Sequence, residues 1–116
     1  MTKTPSRAIV GIAMLASLAG SPPARGQDAE QQLGIVHFVT SCNQPAQQRF
    51  DRAMRYQHSF WYRASREGFE QVLQADPRCA MAYWGIALSL LMNPHVPTPK
   101  DNLALGLATL QKATTL

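Results

Sequence analysis

The sequence predicts an all-α fold in which two antiparallel helical hairpins stack on each other after an extended N-terminal arm. First, apolar residues between residues 46 and 114 recur at three- and four-residue steps, which is the period of amphipathic helices. Second, prolines in the Asp76-Pro77 pair and in residues 93–100 interrupt this period, because proline cannot continue a helix. Third, two of the predicted helices resemble each other at a fixed spacing along the chain.

Residues 1–26 have the pattern of a secretory signal peptide. Lys3 and Arg7 give a positive start, residues 8–20 form an apolar run, and small residues precede a possible cleavage site at Gln27. The alternative is a membrane anchor, but the run is shorter than the roughly 20 residues that span a bilayer. We therefore expect an exported protein, periplasmic or secreted, with no stable membrane span after signal cleavage.

The chain has two cysteines, Cys42 and Cys79. In an oxidising compartment a single pair is more often a disulfide than a metal or redox site. A bridge between them would stabilise the domain by about 4 kcal/mol in the chain-entropy model. Two free buried thiols are the alternative.

Residues 27–45 are expected to form the N-terminal arm. Residues 34–40 are apolar and β-branched, but one strand without a partner is not stable, so an extended segment lying on the helices is expected. Residues 41–45 combine capping side chains with Pro45, which is typical of the start of a helix.

Residues 46–116 are expected to form the helical repeats, with the first hairpin at residues 46–77 and the second at residues 79–116. Helices are expected at residues 46–60, 61–75 and 79–92, and from Asp101 or Asn102 to about Thr114. Residues 93–100 contain three prolines and must form the loop of the second hairpin.

The first and third helices align when the chain is shifted by 34 along its own sequence. A small residue and its large neighbours recur together: Phe50 with Trp84, Ala53 with Ala87, Met54 with Leu88, and Tyr56 with Leu90. Such alternation suits close-packed helices, because alanine lets backbones approach while large side chains fill the space beside them. The second and fourth helices match at a spacing of 41, and the proline-rich loop accounts for the difference.

The Asp76-Pro77 turn, followed by residues 80–87 (AMAYWGIA), resembles the tetratricopeptide repeat (TPR) family. Ala53 and Ala87 stand where that family has a small residue midway along the first helix of each repeat. The second helix of the first repeat gives the family's small, aromatic, small and closing proline positions as Ser65, Phe69, Val72 and Pro77. Val72 replaces the usual alanine, and Arg49 and Arg52 replace the usual aromatic and leucine.

The resemblance covers nearly all of residues 34–116. Over this range the chain is similar to exported bacterial TPR proteins of unassigned function. The resemblance implies a concave groove that binds an unknown protein or peptide. It implies no particular chemical reaction. The groove residues that it implies are Phe50, Met54, Gln57, Met81, Trp84, Leu88 and Leu91. Because two repeats without a polar capping helix leave an apolar face open, we expect the N-terminal part of a longer repeat protein.

The charge distribution argues against nucleic-acid binding. Three of the eleven basic residues precede residue 27, which leaves eight against seven acidic residues in the remainder. A nucleic-acid interface needs a clustered basic patch on the domain itself. The stripe of Arg49, Arg52 and Arg55 is instead interpreted as a solvated helix face.

No catalytic, cofactor or metal site is expected. The possible metal ligands match no compact ligand motif; they are His37, Cys42, His58, Cys79 and His95. Two interpretations compete with a binding scaffold: a metal- or thiol-dependent enzyme, and a passive structural cap of a longer repeat protein. The remaining large apolar side chains are expected mostly in the core: Phe60, Trp61, Tyr62, Met81, Tyr83, Trp84 and Met92.

Overall fold

The computed structural model describes residues 32–116, and this part of the chain is all-helical, without a strand. Four helices follow one another here: α1 (Gln44–His58), α2 (Tyr62–Ala75), α3 (Ala80–Leu91) and α4 (Lys100–Ala113). The predicted all-α class is confirmed, with boundaries shifted by one or two residues. The predicted signal peptide and the first part of the predicted arm lie outside the described residues.

The helices pack in the order in which they occur in the sequence. α1 packs on α2, α3 on α4, and α3 also packs on α2, so two helical hairpins stack with α2 and α3 at their junction. None of the described helices is both long enough and apolar enough to cross a membrane.

The start of α1 is fixed by Asn43, which lies one residue before the helix. Its Oδ1 accepts a hydrogen bond from the backbone N–H of Ala46 at 3.0 Å, and Pro45 lies in the first turn. This arrangement satisfies one of the donors that a helix start leaves free, and it confirms the predicted capping segment. The helix begins two residues earlier than predicted because its first turn includes Gln44 and Pro45.

The core lies mainly between the first hairpin and α3. Phe50 of α1 and Phe69 of α2 are fully buried, and their rings meet edge-to-face at 5.3 Å between centroids. Val72, Ala82 and Leu90 are buried in the same cluster. The core therefore joins the two hairpins across the α2–α3 junction, as stacked repeats require.

Small residues lie wherever two helices approach most closely. In the first hairpin, a Cβ placed on Gly68 would come within 2.9 Å of the Ala53 Cβ. In the second hairpin, Gly106 faces Ala87, with more space: the Ala87 backbone oxygen would be 3.8 Å from an added Cβ. Both alanines singled out by the repeat alignment thus lie against a glycine of the following helix.

The described part of the arm is extended and lies on α1, as predicted. The rings of Phe38 and Phe50 are 6.1 Å apart, and Gln47 Nε2 donates to the Phe38 carbonyl at 2.8 Å. His37 Nδ1 lies 2.6 Å from Asp51 Oδ2. Helix α1 therefore supplies the polar partners that a lone extended segment would otherwise lack.

A disulfide joins Cys42 to Cys79 across 37 residues of sequence. Beside it, Asp76 Oδ2 accepts from the Asn43 backbone N–H at 2.8 Å, and Asn43 Nδ2 donates to the Ala75 carbonyl at 2.9 Å. These contacts tie the arm and the start of α1 to the α2–α3 turn. A bridge of this kind is typical of an oxidising, extracellular environment.

Reduction of the Cys42–Cys79 disulfide is expected to lower the free energy of unfolding by about 4 kcal/mol, because the denatured chain regains the freedom of the closed loop. Urea denaturation with and without a reductant measures the change. The double variant Cys42→Ser/Cys79→Ser should match the reduced protein. An unchanged midpoint, or free thiols in the denatured, unreduced protein, would contradict this assignment.

Gly85→Ala is expected to destabilise the protein by about 1–3 kcal/mol, because the new Cβ would lie 2.5 Å from the buried Phe69 ring. Gly106→Ala is the matched control. Its Cβ meets only ordinary contacts near Ala87, so the higher helix propensity of alanine should leave stability unchanged or raised by up to about 1 kcal/mol. Thermal denaturation of both variants checks this, and equal effects would show that α2 and α3 do not approach so closely at Gly85.

Candidate functional site

An open cavity lies where the C-terminal ends of α1 and α3 meet the turn between α1 and α2 and the proline-rich loop. It has a volume of about 530 Å³. We call it the loop-side cavity, and it is lined by Gln57, His58, Phe60, Tyr62, Leu88, Leu91, Met92, Pro94, Val96 and Thr98. Most of these side chains are apolar, and none of them is a carboxylate, a lysine or an arginine.

Side-chain hydrogen bonds tie the end of the proline-rich loop and the start of α4 to α3. Thr98 Oγ1 donates to the Leu91 carbonyl at 2.9 Å, and Asn102 Nδ2 donates to the Leu90 carbonyl at 3.1 Å. These carbonyls belong to the last turn of α3, where no further helical N–H can reach them. The loop is therefore a defined wall of the cavity.

Two residues in the cavity wall have a backbone conformation that L-amino acids rarely adopt. Phe60 has φ 61° and Met92 has φ 57°, and they are the non-glycine residues with positive φ in the described chain. Glycine is the usual residue in such positions, and a larger side chain there costs about 1–3 kcal/mol. Both side chains line the loop-side cavity and are exposed, by 72% for Phe60 and 49% for Met92.

One lining residue of the cavity, Gln57, belongs to a polar cluster that joins three helices. Gln57 Oε1 accepts a hydrogen bond from the Ser65 hydroxyl at 2.9 Å and lies at the same distance from Ser89 Oγ, whose single proton has more than one acceptor within reach. The two hydroxyl oxygens are 3.0 Å apart, and Ser89 Oγ is also 2.8 Å from the Gly85 carbonyl oxygen. Ser65 and Ser89 are buried, and through Gln57 this cluster joins α1, α2 and α3.

A second apolar depression of about 280 Å³ lies between α3 and α4. We call it the α3–α4 face, and it is lined by Trp84, Ala87, Leu88, Leu91, Asn102, Leu103, Gly106, Leu107 and Leu110. It shares Leu88 and Leu91 with the loop-side cavity. The two depressions therefore border each other on α3.

The α3–α4 face corresponds to a surface that is covered in the first hairpin. Phe50 is fully buried, whereas Trp84, its counterpart in the second hairpin, is 37% exposed. Likewise Phe69 is fully buried, whereas its counterpart Leu110 is exposed. Helix α3 covers the first hairpin, and no described element covers the second hairpin in the same way.

The residues predicted to line a groove divide between the core and the surface. Phe50 and Met54 are buried, and Met81 packs against the core, so these three do not contribute to the loop-side cavity. Trp84 lies instead on the α3–α4 face. The other three predicted residues line the loop-side cavity together: Gln57, Leu88 and Leu91.

The expectation that the other large apolar side chains lie mostly in the core is wrong for four of them. Phe60, Trp61, Trp84 and Met92 are exposed. The physical reason is that helical periodicity identifies an apolar stripe but not whether another element covers it. In the sequence, Phe60 and Trp61 are adjacent large apolar residues at the boundary between two predicted helices. That position beside a turn was a signal that they could lie on the surface.

Groups that could perform chemistry are not brought together in the described residues. No cluster of three or more His, Cys, Asp or Glu side chains there could hold a metal ion. Cys42 and Cys79 are joined to each other, and His37 is paired with Asp51. His58 is the one histidine among the residues that line the loop-side cavity.

Comparison of the chain with protein-family models, with curated proteins and with solved structures found no match. The TPR resemblance therefore remains a prediction that rests on the motif residues.

Met92→Gly is expected to raise the free energy of unfolding by about 1 kcal/mol, because glycine adopts φ near 57° without steric cost. Phe60→Gly should leave stability within about 1 kcal/mol of the wild type, since the side chain it removes is mostly exposed. Urea denaturation measures both. A loss of more than about 2 kcal/mol would show that these side chains serve the core.

Proposed function

We propose that this protein is an exported, non-enzymatic TPR-like scaffold that binds a protein or peptide in the loop-side cavity. The observation that carries the proposal is the placement of Phe60 and Met92. Both residues have positive φ, and both present apolar side chains to the same open cavity. Strained backbone of this kind concentrates at sites of function, where the cost is retained because the side chain is needed.

The lining of the cavity favours an apolar segment of a polypeptide as the bound partner. Leu88, Leu91, Met92 and Val96 offer exposed or half-buried apolar surface. Methionine is flexible and adapts to different side chains, which suits the recognition of peptides. A volume of about 530 Å³ lies within the range of small-molecule sites, so a few side chains of a longer segment would fill it.

Two features support a binding function over the alternative of a metal- or thiol-dependent enzyme. The cysteines are used in a disulfide, so neither thiol is available as a nucleophile. The described histidines do not cluster with other metal-ligating side chains. The same disulfide, together with the signal-like pattern of residues 1–26, supports a periplasmic or secreted location.

A passive structural cap is the second candidate function, and the α3–α4 face favours it. That face is apolar and exposed at positions whose counterparts in the first hairpin are covered by α3. In a longer stack of repeats, a following helix would cover Trp84, Leu107 and Leu110. The loop-side cavity would then have no partner of its own.

Val96 and Leu107 give a matched pair of variants that separates the two candidates. Each side chain is 59% exposed; Val96 lines only the loop-side cavity, and Leu107 lines only the α3–α4 face. Peptides selected from a displayed random library on the wild-type protein serve as probes. Val96→Glu should weaken their binding by about tenfold or more, because a carboxylate would be placed in an apolar contact.

Leu107→Glu should leave that affinity unchanged, as measured by fluorescence polarisation of the labelled peptides. If Leu107→Glu weakens binding and Val96→Glu does not, the α3–α4 face is the docking surface and the cap is favoured. If no peptide is selected, or neither variant changes affinity while both remain folded, the proposed binding function is wrong.

A further inference from the structure

The side chain of Gln57 lines the loop-side cavity, and its carboxamide oxygen contacts the hydroxyls of two buried serines. Its oxygen accepts from Ser65 of α2 at 2.9 Å and lies 2.9 Å from Ser89 Oγ of α3, whose one proton also has the Gly85 carbonyl as an acceptor at 2.8 Å. Both serines are buried, and Ser89 Oγ is in addition 3.0 Å from Ser65 Oγ, so the three side chains form one connected polar cluster. With its oxygen on the side of the two hydroxyls, the carboxamide directs its nitrogen away from them.

The nitrogen end of the same carboxamide has no acceptor within the described residues, and the side chain lines the open cavity. A side-chain amide nitrogen carries two donors. Gln57 therefore offers oriented N–H donors to whatever occupies the cavity, next to the apolar surface of Leu88 and Leu91.

We propose that Gln57 recognises the main chain of an extended apolar peptide by donating from Nε2 to one of its backbone carbonyls. This inference rests on the proposed function and specifies the chemistry of its partner. An extended segment is favoured because its carbonyls are unpaired, whereas the carbonyls of a helix interior already accept hydrogen bonds. The other side-chain donors and acceptors in the wall belong to His58, Tyr62 and Thr98, and Thr98 already donates to Leu91.

The composition of the cavity agrees with a main-chain acceptor as the group that is recognised. No lysine or arginine lines the cavity, so it lacks the cations that usually bind a carboxylate or phosphate. A neutral donor beside apolar side chains instead matches a neutral carbonyl flanked by apolar side chains. The donor gives register along the peptide, and the apolar wall gives most of the contact area.

Gln57→Glu tests the proposal with little change in shape. The carboxylate keeps an oxygen that accepts from Ser65 and Ser89, but its second oxygen replaces the donor with an acceptor. Affinity for the selected peptides should fall by about tenfold, which corresponds to about 1.4 kcal/mol at 25 °C. Gln48→Glu, an exposed position on the same helix, adds the same charge outside the cavity and should leave affinity unchanged.

A measurement on the wild-type protein does not depend on how the variant folds. On addition of a selected peptide, the Gln57 side-chain N–H protons should move downfield in the NMR spectrum and become protected from exchange. Unchanged Gln57 side-chain signals in the saturated complex would overturn the inference.

The outcomes separate the inference from the function on which it rests. If Val96→Glu weakens peptide binding and a folded Gln57→Glu binds as tightly as the wild type, Gln57 is not the recognition donor, although the cavity binds peptides. If Val96→Glu has no effect, the binding function itself fails. If both variants weaken binding and Gln48→Glu does not, both proposals are supported.

Discussion

The close packing of α3 on the first hairpin is the contact on which the rest of this structure depends. Residue 85 has no Cβ, and the ring of Phe69 occupies the space where one would lie, 2.5 Å away. One turn further along α3, the Ser89 hydroxyl reaches Gln57 and Ser65. An apolar contact and a polar contact thus position the same helix on the first hairpin.

The loop-side cavity results from this packing of α3 on the first hairpin. When α3 lies on α2, its last turn comes beside the end of α1 and the turn that follows α1. The chain then leaves α3 through Met92, whose positive φ turns it into the proline-rich loop. The side chains of Thr98 and Asn102 donate hydrogen bonds to carbonyls in the last turn of α3, and the loop forms one wall of the cavity. The disulfide lies at the opposite end of the first hairpin, where it joins the start of α1 to the start of α3.

Much of the fold could be predicted from sequence because it rests on local signals. The period of the apolar residues predicted the helices, Asn43 and Pro45 predicted the start of α1, and the two cysteines of a chain with a signal-like start predicted the bridge. Which apolar faces are covered could not be predicted in the same way. Phe50 and Trp84 occupy matching positions, yet one is fully buried and the other is exposed, since only the first hairpin has α3 on top of it.

The site itself was only partly predictable. Gln57, Leu88 and Leu91 were identified through the helix on which they lie, whereas Phe60 and Met92 were not. Positive φ has a sequence signal when glycine or asparagine occupies the position, and these two side chains give none. The orientation of Gln57 depends on hydroxyls from two other helices, which no pattern within α1 reveals.

The central claim is that a partner binds where the ends of α1 and α3 meet the proline-rich loop. Backbone chemical-shift mapping of the labelled wild-type protein with a library-selected peptide tests this claim most directly. The account predicts that the largest shifts fall on residues 57–62 and 88–98, with small changes along the outer side of α4. Shifts confined to α4 and the start of α3, or spread evenly over the chain, would contradict it.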